Sequence, residues 1–339
     1  MRKKRLVLFA SASVVLTLTV SLATILALDT YLHAKFDQMA TNNRWGYRGD
    51  VVGRKQSNEW RLAVLGGSTA WGYGVRWQEA IPAQLQDLLN STDTIGQRTV
   101  TVVNLAYNNE GAHGFKFALA DYDYLDYDAA LFYSGYNDIG PNTQVWRHES
   151  PIFRLTGYMP VIPLVFKEKA MSLRYGGALN DAYLGKKTTF RPGIVERGAA
   201  SALEAAVAVS RSLERQLARG FDDPPVDDGS TAEGAACGAT WAPYCGEMYE
   251  AIKLVLDKGK SVLIGTQPLL RPIHEEQQIR LHDFLKDRFS GHPRLRYANL
   301  LHEVDLKDAT SSFDGMHLWP AGNRRIAVAL EPYVRRMLQ

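Results

Sequence analysis

Five short apolar runs limit what this chain can fold into more than any other feature of it. They are RLAVLG (61–66), TVTVVNLA (99–106), AALFYSG (129–135), SVLIGTQ (261–267) and the weaker LRYANL (295–300). Each is short and nearly unbroken in its apolar character, as in strands buried on both faces. Helical patterns separate several of them, notably EAIPAQLQDLL (79–89) and the stretch from Gly114 to Leu125. Alternation of this kind predicts a parallel sheet covered by helices. At 339 residues there is room for one large domain, or for one domain with appendages.

The N-terminus carries a separate instruction. Arg2, Lys3, Lys4 and Arg5 precede an uncharged stretch from Leu6 to Leu28, long enough to cross a bilayer as a helix. The basic flank is expected to stay in the cytoplasm, which makes the chain a single-pass membrane protein with everything after Asp29 outside. A cleaved signal peptide competes with this reading, with Ser21-Leu22-Ala23 as a small-x-small site. The apolar run continues past that site through Ile25, Leu26 and Leu28, which favours an anchor, and both readings export the rest of the chain. With those four basic residues assigned, a formal net charge of +3 and no basic stripe with interleaved aromatics give no reason to expect nucleic acid.

The expected organisation is an anchor over 1–28, a helical or extended stalk over 29–60, and a main domain over 61–339 with an insertion around 141–195. The regular alternation fails between Gly140 and Cys245. There the Ala-rich ERGAASALEAAVAVSRSLERQLA (196–218) reads as a helix of the main domain, and FDDPPVDDGSTAEGAA (221–236) as a loop. The insertion is placed to roof a site or touch the membrane surface. PAGNRRIAVALEPYVRRML (320–338) has helical spacing and an early proline, as a closing helix would. Cys237 and Cys245 read equally as one local disulfide in an exported protein or as two free thiols, and no second pair exists for a Cys/His zinc site.

Parallel sheets bind ligands beyond the carboxyl ends of their strands. Ser68 follows the first run, NLAYNNEGAHG (104–114) the second and SGYNDIGP (134–141) the third, while FDGMHLWP (313–320) comes last. This set resembles the SGNH, or GDSL-type, hydrolase family. GGST (66–69) is similar to its nucleophile block with glycine in place of aspartate, G-Y-N-D (135–138) to its G-x-N-D block, and D-G-M-H (314–317) to its D-x-x-H block. The blocks occur in the family's order and bracket nearly all of residues 61–330. The resemblance implies a three-layer α/β/α sandwich around a five-stranded parallel sheet, flavodoxin-like, here with an N-terminal transmembrane helix.

The chemistry of these residues points the same way. A serine hydroxyl is a poor nucleophile until a base takes its proton, and histidine suits that work near neutral pH. His317 is the expected base for Ser68, with Asp314 orienting the imidazole. The oxyanion donors expected are the Ser68 N–H and the Asn137 side chain, and the resemblance adds a backbone N–H from the second block. Five residues beyond Asn104 stands Asn109 where the family has glycine, and the nearest glycine is Gly111, the preferred candidate of the two. Alone, each segment also reads as structure: Ser68 as a helix cap, Asn137-Asp138 as a strand-end turn, Asp314 and His317 as a cap before the last helix. Their joint occurrence in order favours an active site. The α/β-hydrolase signature is absent, since Ala70 stands where G-x-S-x-G needs glycine. HEEQQ (274–278) is not H-E-x-x-H, and GGSTAWG lacks a P-loop ending. Trp71, Tyr73 and Trp77 read as core more than as pocket lining, and His113 sits in the second block without an assigned role.

The expected activity is ester hydrolysis without cofactor or metal, through an acyl-serine intermediate. Its substrate would be a small-molecule or glycan acyl ester: an O-acetylated envelope glycan, a lipid or a small ester. Transfer of the acyl group to a glycan hydroxyl uses the same residues. A third reading is a non-catalytic envelope scaffold, which requires Ser68, Asp314 and His317 to lie too far apart to cooperate.

Overall fold

A computed structural model of the chain describes residues 2–91, 95–140, 150–177, 190–218 and 232–339. Residues 141–149 and 178–189 of the expected insertion, and 221–231 of the expected loop, lie outside the described residues. The elements used below are α1 (Arg2–Phe36), β1 (Glu59–Gly66), α2 (Ser68–Trp71), α3 (Ile81–Ser91), β2 (Thr99–Asn104), α4 (Phe115–Asp121), β3 (Ala129–Ser134) and α5 (Pro151–Thr156). They continue with α6 (Ile162–Tyr175), α7 (Ile194–Ala218), α8 (Ala242–Asp257), β4 (Ser261–Thr266), α9 (Pro272–Arg288), β5 (Leu295–Ala298) and α10 (Pro320–Leu338). The chain divides into two compact units, Met1–Asp37 with Ser150–Asp222 and Gln38–Glu149 with Asp223–Gln339.

In the second unit all five apolar runs become strands of one parallel sheet, ordered β2-β1-β3-β4-β5. The central strand β3 is buried at every position, as a strand covered on both faces must be. Its side chains alternate: Ala129, Leu131 and Tyr133 join a core with Ile81, Leu85 and Leu89 of α3 and Ile326, Leu330 and Val334 of α10. Phe132 points the other way, its ring 5.7 Å from that of Phe115 at the start of α4. The layer on that face also includes α8, which supplies buried Met248, Ile252 and Val255. The result is the expected three-layer α/β/α sandwich. Each fully buried leucine or phenylalanine in it contributes about 1.5–3 kcal/mol through loss of apolar surface from water.

The edge strand β2 has its outer backbone groups covered from α3. Val102 N–H donates to Gln86 Oε1 at 2.9 Å, and Val100 exchanges bonds of 2.9 and 2.8 Å with the Asn90 amide. The segment expected as part of a stalk is packed into this unit from Gln38 onward. Buried Arg48 donates to the carbonyls of Thr41 (2.8 Å), Met39 (2.9 Å) and Val75 (3.1 Å), and its guanidinium lies 3.8 Å from the centroid of a Trp71 ring. Trp71 Nε1 in turn donates to Asn42 Oδ1. Cys237 and Cys245 form a disulfide that ties the turn Gly234–Cys237 to the first turns of α8.

In the first unit α1 runs eight residues past Leu28, to Phe36. Its segment Leu8–Phe36 is long and apolar enough to cross a membrane, a test that an N-terminal signal sequence also passes. Leu6, Leu16 and Ile25 are among the many exposed apolar residues along it. Beyond them, Asp29 is buried and caps the start of α6: Oδ1 accepts the Val161 and Ile162 N–H groups at 2.9 Å each, and Tyr158 Oη donates to Oδ2 at 2.5 Å. Leu32 packs against Val161 and Val165. The Ala-rich stretch forms a helix, α7, yet it belongs to this unit and not to the sheet-bearing one. It packs along α6, where Arg174 and Glu204 make two bonds of 2.6 Å. Periodic alanines specify a helix with a narrow face and say nothing about which neighbour fills it.

Arg48→Ala is expected to lower the unfolding free energy by about 3 kcal/mol in urea titration, because it strips a charged donor from several buried carbonyls. Reduction of the disulfide is expected to cost about 2–3 kcal/mol, seen as a lower melting temperature with dithiothreitol than without.

Candidate active site

The sheet order reverses direction at β1, with β2 on one side and β3 on the other, and that reversal opens a crevice at the carboxyl ends of the strands. Ser68 begins α2 there, two residues after β1 ends. The pairing of Gly66 with Tyr133 brings the segment after β3 alongside it. Contact is close: a Cβ on Gly67 would lie 2.1 Å from Asn137 Nδ2 and 3.0 Å from the Glu110 carbonyl. At this spacing any side chain on residue 67 would meet the Asn137 amide.

The last block arrives from 249 residues away. Ser68 Oγ and His317 Nε2 are 2.8 Å apart, and His317 Nδ1 is 2.7 Å from Asp314 Oδ2. Asp314 and His317 do not sit on a helix. They share a tight loop closed by the Ser312–Leu318 bridge, in which Asp314 Oδ1 accepts the Met316 N–H at 3.0 Å and the His317 N–H at 2.7 Å. One carboxylate thus shapes the loop with one oxygen and holds the imidazole with the other. Burial works to raise the Asp314 carboxyl, but the His317 amide and ring, with the Met316 amide, outweigh it and hold the group below its ordinary value. Its contribution to stability is accordingly present above the unfolded-state value of about 3.9 and is lost as pH falls through the lower folded-state value. With Nδ1 held by the carboxylate, Nε2 faces the serine and is placed to take its proton.

Other residues of the crevice hold the turns together. Gln267, directly after β4, donates through Nε2 to Thr69 Oγ1 at 2.6 Å and accepts the Tyr136 N–H at 2.9 Å through Oε1. Asn104, ending β2, donates to the Ala70 carbonyl at 3.1 Å. Both stand at strand ends, and for Gln267 that position is the one sequence signal that marks it. Of the aromatics near the serine, Trp71 is buried beneath Arg48 and Trp77 packs against Gly49. Tyr73 borders the site, its ring 4.8 Å from that of His317, and the Phe313 ring stacks near the imidazole at 5.8 Å. His113 is buried, with Nδ1 2.9 Å from Glu247 Oε1.

The second block separates its two candidates. Asn109 has φ +62°, the left-handed conformation that glycine favours and asparagine tolerates. Gly111 has φ −102°, open to any residue, and its lack of a side chain answers a different need: a Cβ there would lie 2.4 Å from Asp138 Oδ1. Asn137 Nδ2 donates to the Glu110 carbonyl at 2.8 Å. The peptide joining Glu110 to Gly111 is trans, so the Gly111 N–H points away from the side on which Asn137 lies. Among the described residues no group of three or more His, Cys, Asp or Glu side chains is arranged to hold a metal ion.

In motif order and strand order the chain resembles the SGNH-type hydrolases. No family model matches it. No curated protein matches it either. Solved structures similar to it include a family 3 carbohydrate esterase from Clostridium thermocellum, at 9% identity over 83% of this chain and 97% of that one, with a TM-score of 0.43. A psychrotrophic esterase from a Pseudoalteromonas species overlaps 82% of this chain and 98% of its own at 10% identity and a TM-score of 0.43. A lipase from a goat rumen metagenome overlaps 83% and 100% at 10% identity and a TM-score of 0.41. Overlaps this loose assign no chemistry, which rests on the bonded chain from Ser68 to Asp314.

Asp314→Asn keeps an acceptor for the loop amides but removes the charge that stabilises the imidazolium. It is expected to lower kcat for an acetyl ester by about 10²–10⁴-fold with little change in KM, read from steady-state kinetics at pH 8.

Proposed function

We propose that the chain is a serine esterase whose nucleophile is Ser68, working through an acyl-serine intermediate. One observation carries this: Ser68 Oγ, His317 and Asp314 form a continuous hydrogen-bonded chain of 2.8 and 2.7 Å. The scaffold reading requires these residues to be apart.

In the first half-reaction Ser68 Oγ attacks the ester carbonyl while His317 Nε2 takes its proton. His317 then returns that proton to the departing alcohol oxygen, leaving the acyl group on Ser68. In the second, His317 takes a proton from water, whose oxygen attacks the acyl carbon, and the acid leaves as Ser68 recovers its proton. Asp314 holds the imidazole tautomer and steadies the imidazolium in both halves. The oxyanion donors in this reading are the Ser68 N–H, the Asn137 amide and the N–H of Asn109. Asn109 replaces Gly111 here because it occupies the family's slot and adopts the conformation that glycine would.

The reading extends to location. The basic residues Arg2 to Arg5 at the start of α1 keep its N-terminus cytoplasmic, the apolar segment after them crosses the membrane, and the hydrolase unit lies outside it as an exported, single-pass protein. Esters within reach there are O-acetylated envelope glycans, lipids and small acyl esters. The acyl-transfer variant has no observation in its favour.

The test is covalent labelling of the purified full-length chain by a fluorophosphonate, with acetyl-ester turnover followed in parallel. Labelling and turnover are both expected in the wild type and both absent in Ser68→Ala, while His317→Ala lowers each by at least about 10³-fold. A folded wild-type chain that neither labels nor turns over would sink the esterase reading.

A further inference from the structure

Asp138 follows Asn137 in the turn Tyr136–Asp138, and the hydrolysis scheme above gives it no task. It is buried, and its Oδ1 accepts the Ala112 N–H at 3.0 Å. The same oxygen lies 2.4 Å from where a Cβ on Gly111 would sit. Asn137, one residue earlier, holds the Glu110 carbonyl at 2.8 Å. Successive residues of one turn therefore grip a single loop on both sides of Gly111: a carbonyl before it and an N–H after it. That loop begins with Asn109.

Building on the esterase reading, we propose that Asp138, as its carboxylate, is a positioning residue that holds residues 109–112 in register with Ser68 and Asn137, and that the hold weakens when Asp138 takes up a proton. A carboxylate oxygen is a stronger acceptor for the Ala112 N–H than the oxygen of a neutral acid, and a neutral acid also needs somewhere to donate its proton. Among the described residues, Oδ2 has no hydrogen-bond partner to receive one.

The titratable groups around Asp138 come from each neighbouring element. α8 supplies Glu247, whose charge helps raise the Asp138 carboxyl, and Tyr244, whose hydroxyl is pushed up by burial first and by Asp138 second. The gripped loop supplies Glu110, and His113, whose Nδ1 is 2.9 Å from Glu247 Oε1. α9 supplies His274 beside Gly135, which burial lowers to about 4 and so keeps neutral. Tyr136 stands in the turn itself. Burial pushes the Asp138 carboxyl up, the Ala112 N–H resists, and the charge of Glu247 adds to the rise, leaving it at about 7. The group thus changes charge within the range where a histidine base also works.

The sign for stability runs opposite to that for activity. A carboxyl raised in the folded state stabilises the fold while protonated, and that contribution is lost as pH rises through about 7. The ionised carboxylate that the oxyanion loop needs is the form the fold tolerates less well.

The experiment measures acetyl-ester turnover of the full-length chain from pH 5 to 9, with heat unfolding at pH 5 and pH 8, for wild type, Asp138→Asn, Asp138→Ala and Gly111→Ala. Asp138→Ala is expected to lower kcat at pH 8 by roughly 10–100-fold with KM little changed, since the donors are displaced and binding is not. Asp138→Asn, a neutral acceptor like the protonated acid, is expected to give a kcat at pH 8 between those of Asp138→Ala and wild type. The acid limb of its kcat/KM profile should fall with one proton where the wild type falls with two. Its melting temperature should exceed that of wild type by more at pH 8 than at pH 5, the loss in wild type running from about pH 3.9 up to about 7. Gly111→Ala, which sets a methyl against the carboxylate, should cost as much as Asp138→Ala and cost little more when combined with it. If Asp138→Ala does not fold, Asp138→Asn and Gly111→Ala carry the test. An acid limb in Asp138→Asn that superimposes on wild type overturns the proposal while Ser68 labelling leaves the esterase reading standing. A wild type that neither labels nor turns over removes both.

Discussion

The pairing of β1 with β3 is the constraint on which the candidate site depends. Setting Gly66 opposite Tyr133 brings two chain segments to the same edge of the sheet, one carrying Ser68 and the other Asn137 and Asp138. β2, on the far side of β1, delivers the loop that those two residues grip. No long-range side-chain contact at this edge would survive a slip in that register, because a one-residue shift turns every side chain of a strand to the opposite face. The polar bonds at the edge, from Gln267 to Thr69 and from Asn104 to the Ala70 carbonyl, then hold turns that the sheet has already brought together.

Much of this was legible in the sequence, and the reason is physical. β1, β3 and β4 are buried at nearly every position, so each wrote itself as a short apolar run, and Ser68, Asn137 and Gln267 follow closely at their carboxyl ends. Ser68, Asn137, Asp314 and His317 stand out as candidates because each lies in a short block with fixed internal spacing. What could not be read was anything set by a partner distant in sequence. Arg48 looked like part of a polar approach, and only the fold reveals the carbonyls that converge on it. Alanine periodicity in α7 announced a helix and left its neighbours open. Gly111 drew attention as the nearest glycine, whereas the backbone conformation that calls for glycine falls at Asn109. Glycine at 111 answers to the bulk of Asp138, a contact across 27 residues that leaves no local trace.

The crevice also departs from the rule that buried polar groups are there for stability. Asp138, Glu110, His113 and Glu247 bring three carboxyl groups and one imidazole into a buried region behind the nucleophile. Apolar side chains of similar volume would fill that space at lower cost in desolvation. The region faces the loop of residues 109–112, which Asn137 and Asp138 hold through hydrogen bonds. Hydrogen-bond acceptors can fix the direction of an N–H, and a hydrocarbon cannot. Arg48 stands in contrast: it too is buried and charged, but it spends its donors on carbonyls of the segment that backs Trp71.

The loop that holds Asp314 and His317 is closed by bonds within residues 312–318, and this has a consequence for the order in which the chain matures. Such a loop demands little chain closure and is available early, whereas its partner Ser68 is separated from it by 249 residues and meets it only once the sheet is assembled. A nascent chain therefore carries the Asp314–His317 pair with no serine beside it. The complete hydrogen-bonded chain is a property of the finished molecule alone.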